Sequence, residues 1–160
     1  MTSVSIDRSS LLVDRPVLAS ITDEVRSAIE TIDAEPSRGL KRLFPAMWCE
    51  YASIVLAEVL ESRGLGTWAF VDAGHHDQPN GHAWLELRHQ SGLRLWTIDS
   101  TVDQFSWGGD TPYIGKAQTP AAQTFNRIRF EGHWSDWPVL SHNPSYRAYL
   151  EAFAARSGLL

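Results

Sequence analysis

The chain has 160 residues, 43% hydrophobic and 21% charged, which is ordinary for one globular domain. A net charge of -5, a pI near 5.6 and scattered basic residues argue against nucleic acid or a membrane as a partner. No apolar run approaches the ~18 residues of a membrane span, no signal-peptide pattern is present, and a single cysteine cannot form an internal disulfide. We therefore expect one cytoplasmic domain over residues 1–160.

The predicted elements begin with two helices. Residues 1–12 are small and polar and predict a loose end, whereas Asp14 and Pro16 are typical of a helix start. The first helix then has apolar residues at helical spacing: Leu18, Ile21, Val25, Ala28 and Ile29. After a break at 35–39, a second helix is predicted within PAMWCEYASIVLAEVLESRG, ending at Gly64. Its apolar stripe is formed by Ala52, Val55, Leu56, Val59 and Leu60.

Strand-like runs follow these helices. Three strands are predicted at 67–73, 82–89 and 93–101, and a fourth is predicted at 124–132, after a loop rich in Gly and Pro at 106–122. A closing helix is predicted at about 144–156. This order predicts an α+β fold in which the cysteine-bearing helix packs on an antiparallel sheet of about four strands with flanking helices.

The second and third strands are separated by HQSG (89–92), which is short enough for a hairpin. A loop of two or four residues places His82 directly opposite Asp99, whereas a turn at 91–92 places Trp84 there and His82 diagonally. In each register His82 and Asp99 share a face, because side chains alternate along a strand. A three-residue loop with a bulge could disturb this pairing. The other face is apolar: Ala83, Leu85, Leu87, Trp96 and Ile98.

Cys49 is the one cysteine of the chain and opens the second helix. A helix N-terminus favours a thiolate and offers N–H groups to an oxyanion. His82 can stabilise that thiolate and protonate a leaving amine, and Asp99 can orient His82. We interpret the three residues as a catalytic triad. Each also has a structural interpretation: Cys49 as a small buried residue, His82 as a structural histidine and Asp99 as a turn cap.

Other residues offer alternative sites. The loop HHDQPNGH contains possible metal ligands in His75, His76, Asp77 and His82, but it has no zinc-type spacing, and we expect no metal or other cofactor. Alternative residues lie downstream of the hairpin. The base and its orienting residue could instead be His133 with Asp136, or His142 with Asn143. Asp103 is an alternative to Asp99 alone. The geometry of the hairpin favours His82 and Asp99 over these.

The segments C-E-Y-A-S-I-V-L-A-E-V-L-E-S-R-G, G-H-A-W-L-E-L and W-T-I-D-S-T resemble the transglutaminase-like core of the papain-like superfamily. The resemblance covers residues 44 to about 105 and implies a catalytic core at about 40–135. It implies Cys49 as nucleophile, His82 as base and Asp99 as orienting acid. The superfamily includes transglutaminases, peptidases, deamidases, peptide-maturation enzymes and members without catalysis, so the fold and triad carry over better than the reaction.

The surroundings of the triad are less defined. Leu43 stands six residues before Cys49, where papain-type peptidases have a glutamine. The Cys49 amide is one candidate oxyanion donor, and Trp48 or Gln104 is the other. Trp48 and Trp84 flank the Cys and the His and are predicted, with Gln104, to bind substrate. Residues 101–107 predict either a site wall or a structural loop whose Phe105 and Trp107 pack inward.

Together these features predict a thiol-dependent enzyme that acts on an amide bond of a peptide or protein through a thioester at Cys49. We rank hydrolysis by a peptidase, amidase or deamidase first, because a small domain has no obvious module for a second substrate. Transglutaminase-type transfer to an amine is the alternative reaction. A non-catalytic binding domain and a metal-binding protein are alternatives from other classes. A partner protein that presents the substrate is compatible with each of the enzymatic interpretations.

Overall fold

The computed structural model describes residues 13–31 and 48–160. The predicted loose end at 1–12, the break at 35–39 and Leu43 lie outside the described residues. Nine helices and strands follow one another within them: α1 (Arg15–Thr31), α2 (Cys49–Ser62), β1 (Ala69–His75), β2 (Gln78–Arg88), β3 (Arg94–Asp99), β4 (Tyr113–Gly115), β5 (Arg127–Gly132), α3 (Pro138–His142) and α4 (Pro144–Ser157).

The strands form one five-stranded antiparallel sheet in the order β4-β3-β2-β1-β5. The α+β class is therefore confirmed. The prediction of about four strands omits β4, which lies in the stretch at 106–122 that its Gly and Pro content predicted to be a loop. Among the described residues, no helix is both long and apolar enough to cross a membrane.

Helix α2 is the centre of the core. Its residues 52–57, 59 and 60 are all buried, so the helix is enclosed on nearly every side rather than along the one predicted stripe. It lies between the sheet and α1, whose predicted apolar residues Leu18, Ile21, Val25 and Ile29 are buried. Helix α1 starts as predicted, since the Asp14 carboxylate accepts a hydrogen bond from the Val17 N–H at 3.0 Å.

The β2–β3 hairpin combines a three-residue loop with a bulge. The His89 N–H donates to the Leu93 carbonyl at 2.8 Å, and the register then shifts so that Leu95 is an additional residue. Beyond the bulge Leu85 pairs with Ile98, which is the register predicted for a turn at 91–92. The bulge therefore preserves the shared face of His82 and Asp99 instead of disturbing it. The opposite face packs into the main core, as predicted: Ala83, Leu85, Leu87 and Ile98 are buried, and Trp96 is half-buried.

The second face of the sheet is covered by the segment that follows β3. A separate apolar cluster forms there from β1, β2 and this segment: Val71, Ala73, Trp84, Val102, Ala121 and Phe125. His82 belongs to this face, and its ring contacts Phe105 and Phe125. The covering segment thus buries the side chain of His82 without occupying the start of α2.

Helix α4 supports the start of α2 from the other side. The rings of Tyr146 and Tyr51 stack with centroids 4.3 Å apart, and Tyr149 meets Tyr51 edge-on at 4.9 Å. Because these contacts fall in the first turn of α2, they fix the position of the helix end that carries Cys49.

Candidate active site

Cys49 is the first residue of α2, and its side chain is half-buried. The helix is attached to β2 one turn further along, where the Ser53 hydroxyl donates to the carbonyl of Ala83 at 3.4 Å. Ala83 follows His82 directly, so this contact holds the helix end beside the imidazole. The Cys49 side chain is close enough to His82 to raise the pKa of the imidazole. The helix end and the histidine predicted from the sequence therefore meet.

The other side of the imidazole is held by Asp99. The Nε2 atom of His82 lies 2.8 Å from Oδ1 and 2.9 Å from Oδ2 of Asp99, and both side chains are fully buried. Since Nε2 faces the carboxylate, Nδ1 is the nitrogen on the side of Cys49 and of the Gln104 amide, whose nitrogen is 3.4 Å away. Cys49, His82 and Asp99 thus follow one another in space as they do along the chain.

The charge of the imidazole follows from these two neighbours. Burial alone lowers the pKa of His82, because it disfavours the charged form. The charge and hydrogen bond of Asp99, followed by those of Cys49, outweigh burial and raise the pKa of His82 from 6.5 to about 10. His82 is therefore protonated at neutral pH. A positive charge beside a thiol favours the thiolate, which is the nucleophilic form.

Asp99 is itself fixed by two threonines. The Thr119 hydroxyl donates to Oδ2 at 2.6 Å, and the Thr101 N–H lies 3.4 Å from Oδ1. Thr119 caps the 3-10 turn Pro120–Gln123, where its hydroxyl also accepts from the Ala121 N–H at 3.2 Å. Thr119 is not among the residues predicted from the sequence. The Thr-Pro pair is a recognisable cap signal, but nothing in it shows that the hydroxyl reaches Asp99.

A cleft of about 430 Å³ opens beside Cys49. Its lining includes Cys49 and Glu50 of α2, residues 79–81 of β2 and Gln104, so one predicted substrate-binding residue lies in it. The Gln104 amide nitrogen donates to the Thr101 carbonyl at 3.0 Å, which defines the orientation of the amide. The amide nitrogen therefore remains next to the imidazole nitrogen that faces Cys49.

One wall of the cleft is aromatic. Phe105 and Phe125 are lining residues, and Phe105 meets the His82 ring edge-on at 5.0 Å. Trp107 stacks on Phe105 with centroids 4.6 Å apart and an interplanar angle of 3°, and it is 46% exposed. The inward packing considered for Phe105 and Trp107 is thus wrong for Trp107. Of residues 101–107, Gln104 and Phe105 line the cleft.

Trp48 and Trp84, the other two residues predicted to bind substrate, do not line the cleft. Both are buried, at 1% and 2% exposure. Trp48 packs against the rings of Tyr51 and Tyr149, and the Trp84 indole donates to a carboxylate oxygen of Glu86 at 3.2 Å. Packing against α4 buries the Trp48 indole, and packing on the second face of the sheet buries the Trp84 indole. Neither indole is therefore available to a substrate in the cleft.

The alternative residues for the base and the orienting acid contact other partners. Asp103 forms a two-pronged ion pair with Arg26 of α1, at 2.9 and 2.7 Å. His133 is hydrogen-bonded to Glu61 at 3.0 Å rather than to Asp136. The Nδ1 of His142 donates to the Pro138 carbonyl at 2.7 Å. None of these three candidates is among the lining residues.

The residues that could hold a metal form a separate group at the β1–β2 turn. The ligand atoms of His75, His76 and Asp77 lie within 4.8 Å of one another, and His76 and Asp77 are exposed. His82, included with them on sequence grounds, is not part of the group, because β2 carries it onto the buried face with Asp99. The turn and the Cys49 site are therefore distinct.

Two charged residues of the lining were missed by the sequence analysis. Glu50 accepts a hydrogen bond from the Tyr146 hydroxyl at 3.3 Å, and burial, followed by the charge of Asp72, raises its pKa. Arg129 donates to the Asp72 carboxylate at 2.7 Å. The sequence shows Glu50 only as an acidic residue in a first helical turn and Arg129 only as a polar position in a strand. Arg129 reaches Asp72 through the pairing of β1 with β5, and Glu50 reaches the cleft through the packing of α2 on the sheet. Local patterns reveal neither of these long-range contacts.

Comparison of the chain with protein-family models, with curated proteins and with solved structures finds no match. The resemblance to the transglutaminase-like core therefore stays a prediction from the residues. The architecture itself is an α+β fold with a five-stranded antiparallel sheet.

Proposed function

We propose that the chain is a thiol-dependent enzyme with a transglutaminase-like, papain-like core that cleaves an amide bond of a peptide or protein. The observation that carries the proposal is the continuous arrangement of Cys49, His82 and Asp99 at the edge of a cleft. A structural cysteine needs neither a charged imidazole beside it nor an opening next to it. The combination is what acyl transfer requires.

The reaction begins with attack of the Cys49 sulfur, as thiolate, on the carbonyl carbon of the substrate amide. The carbon–nitrogen bond then breaks, and the leaving ammonia or amine takes the proton from Nδ1 of His82. A thioester remains on Cys49. Water attacks it, returns a proton to His82 and releases the acid and the thiolate. Asp99 keeps Nε2–H in place throughout, so the ring presents Nδ1 to the reacting atoms.

The negative oxygen of the tetrahedral intermediate requires hydrogen-bond donors. The backbone N–H of Cys49, at the start of α2, is one candidate. The Gln104 amide is the better candidate for the second donor, because it lines the cleft whereas Trp48 does not. Its attachment to the Thr101 carbonyl pre-orients it, which reduces the cost of reorganisation during the reaction.

Hydrolysis remains the first-ranked reaction, with peptidase, amidase and deamidase activities sharing these steps. Transfer of the acyl group to an amine is the alternative, and it differs only in the acceptor that reaches the thioester. A binding domain that keeps the fold is the non-catalytic alternative. The charged imidazole of His82 beside Cys49 favours an enzyme over this alternative, because binding alone does not require an activated thiol.

The test measures the reactivity of Cys49 in the native protein. At pH 6 a free thiol such as glutathione is ionised to well under about 1%. We expect iodoacetamide to alkylate Cys49 at least about tenfold faster than glutathione at this pH, because the charged imidazole favours the thiolate. His82→Asn should remove the excess rate, and His133→Asn, at a histidine paired with Glu61, should keep it. Intact-protein mass spectrometry gives the rates.

The products then define the reaction. Peptides carrying glutamine are incubated with the protein, with and without a primary amine, and the masses separate backbone cleavage, deamidation and amine incorporation. An acyl adduct on Cys49 supports any of these three reactions. A thiol that reacts only after denaturation, with no adduct, contradicts the enzyme proposal and favours the binding domain.

A further inference from the structure

Arg129 occupies an irregular position in β5. Asp72 of β1 pairs with Phe130 and Ala73 pairs with Ile128, so Arg129 is the additional residue of a bulge. A bulge redirects side chains from the regular alternation of a strand and is frequent beside active sites. Here Arg129 becomes part of the lining of the cleft that contains Cys49.

Two glycines make room for the guanidinium. Gly74 and Gly81 pair across β1 and β2, and the Arg129 side chain lies over them. A Cβ atom at Gly81 would overlap with Nη2 of Arg129 and lie 2.8 Å from the Ala73 carbonyl oxygen. A Cβ atom at Gly74 would make ordinary contacts, the nearest at 3.5 Å from Cδ of Arg129. Of these two glycines, Gly81 is therefore the one that the observed position of the Arg129 guanidinium requires.

A buried carboxylate holds one end of the guanidinium. Asp72 is 7% exposed, and its Oδ1 accepts from Nη2 of Arg129 at 2.7 Å while its Oδ2 faces the Trp137 indole nitrogen at 3.3 Å. Among the residues that the structure describes, this is the one hydrogen bond of the Arg129 side chain, which is 45% exposed. A guanidinium has five N–H donors, so most of them remain available to a bound molecule.

Arg129 is also the fixed charge of the cleft. The described lining has one other charged residue, Glu50, and burial raises the pKa of that carboxyl, which disfavours its negative form. Arginine keeps its charge at every accessible pH. One guanidinium close to Glu50 matches a singly charged ligand better than a phosphate monoester with nearly two charges.

We propose that Arg129 forms a carboxylate-binding subsite, which takes a carboxylate of the acyl substrate and positions the neighbouring amide at Cys49. The planar fork of the guanidinium suits a carboxylate, which it can bind through two parallel hydrogen bonds. The carboxylate belongs either to an acidic side chain or to a C-terminus. The positioning role rests on the proposed acyl transfer, whereas the binding itself does not.

Binding is tested by NMR on the Arg129 Nε–Hε signal, assigned by its loss in Arg129→Lys. Three probes are titrated: N-acetylglutamic acid α-amide, with a side-chain carboxylate, N-acetylalanine, with a terminal carboxylate, and N-acetylglutamine α-amide, which is neutral. We expect a saturable shift with one or both acids and none with the neutral amide, and the acid that binds identifies the source. No saturable shift with either acid, or an equal shift with the neutral amide, overturns the proposal.

Proximity to Cys49 is tested with iodoacetate and iodoacetamide, which differ by one charge. The imidazolium of His82 also attracts iodoacetate. The ratio of the iodoacetate rate to the iodoacetamide rate is therefore compared among variants. We expect Arg129→Gln and Gly81→Ala to lower the ratio about threefold or more. Arg127→Gln, at an exposed arginine of the same strand, and Gly74→Ala should leave the ratio unchanged.

The variants keep the two proposals separable. Arg129→Lys retains a cation for the buried Asp72 and so protects the fold, but it lacks the fork, and its ratio should fall between those of the wild type and Arg129→Gln. An unchanged ratio in Arg129→Gln overturns the placement of the subsite beside Cys49. If Cys49 reacts with neither reagent in the native protein, the acyl-transfer proposal fails, and the NMR titration alone decides whether Arg129 binds carboxylates.

Discussion

The imidazole of His82 is held by both carboxylate oxygens of Asp99, at 2.8 and 2.9 Å, in a place from which solvent is excluded. Burying either charge alone is costly, and each residue compensates the other. The pair is therefore a structural element and, in the proposed enzyme, also a catalytic one. It sets the charge of the ring that Cys49 faces, which links the stability of the fold to the chemistry of the cleft.

Replacing Asp99 with asparagine should lower the pKa of His82. The carboxylate charge is the largest of the contributions that raise this pKa, and without it burial favours the neutral ring. Since one pKa unit changes the protonated fraction up to about tenfold, we expect the excess alkylation of Cys49 at pH 6 to fall about tenfold or more. Long-range ¹H–¹⁵N spectra of the imidazole report the titration directly.

Asp103→Asn is the matched control for that variant. It removes a carboxylate four residues away that pairs with Arg26 and has no hydrogen bond to His82. The His82 titration and the Cys49 rate should remain at wild-type values, although the loss of the ion pair lowers stability. Equal effects of the two substitutions would show that Asp99 does not act through His82.

Stability should decrease as the solution becomes alkaline. The folded-state pKa of His82 is raised to about 10 from 6.5, so folding favours the protonated ring. The contribution is complete below about pH 6.5 and is lost as the pH rises through 10. We expect the free energy of unfolding in urea to fall between pH 7 and 10 with a slope of about one proton.

The measurement is made in a Cys49→Ser background, so that ionisation of the thiol does not contribute. Tyr51, whose pKa burial and then the neighbouring Tyr149 and Glu50 raise to about 12, affects a higher range of pH. His82→Asn in the same background should lose the slope between pH 7 and 10. A slope that persists in that variant would assign the pH dependence to another group.

Much of the fold was predictable because its signals are local. Periodic apolar residues predicted α1, α2 and α4, and alternation with turn residues predicted the strands β1, β2, β3 and β5. Strand β4 was missed because three residues between Gly- and Pro-rich turns form too short a pattern. The bulge at Leu95 was also beyond local reasoning, since it depends on how two strands and a loop fit together.

The candidate site was likewise predictable only where its signals are local. Hairpin geometry brought His82 and Asp99 to one face from sequence alone, because alternation holds in every register considered. Thr119 and Arg129 were missed because each reaches the site through a long-range connection: a loop folded over the sheet and a bulge in a distant strand. Trp48 and Trp84 were placed in a slot by adjacency in sequence, and packing buried them instead.

Removal of metal should leave the reactivity of Cys49 unchanged. The group formed by His75, His76 and Asp77 lies at the β1–β2 turn, and Cys49 and His82 are not members of it. Protein dialysed against EDTA, and a His75→Asn, His76→Asn variant, should both alkylate at the wild-type rate. Zinc content is measured in parallel by mass spectrometry. Stoichiometric zinc together with a changed rate in the dialysed protein would instead favour the metal-binding alternative.

Replacing Thr119 with valine should destabilise the fold by about 1–3 kcal/mol, because it leaves the fully buried Asp99 carboxylate without one of its hydrogen-bond donors. Thr119→Ser retains the hydroxyl and should recover most of the loss. Thr22→Val is the control for shape: its buried hydroxyl donates to the Leu18 carbonyl inside α1, and such bonds add little to a helix. Urea unfolding of the three variants compares them, and equal costs for Thr119→Val and Thr22→Val would contradict a special role of Thr119 in holding Asp99.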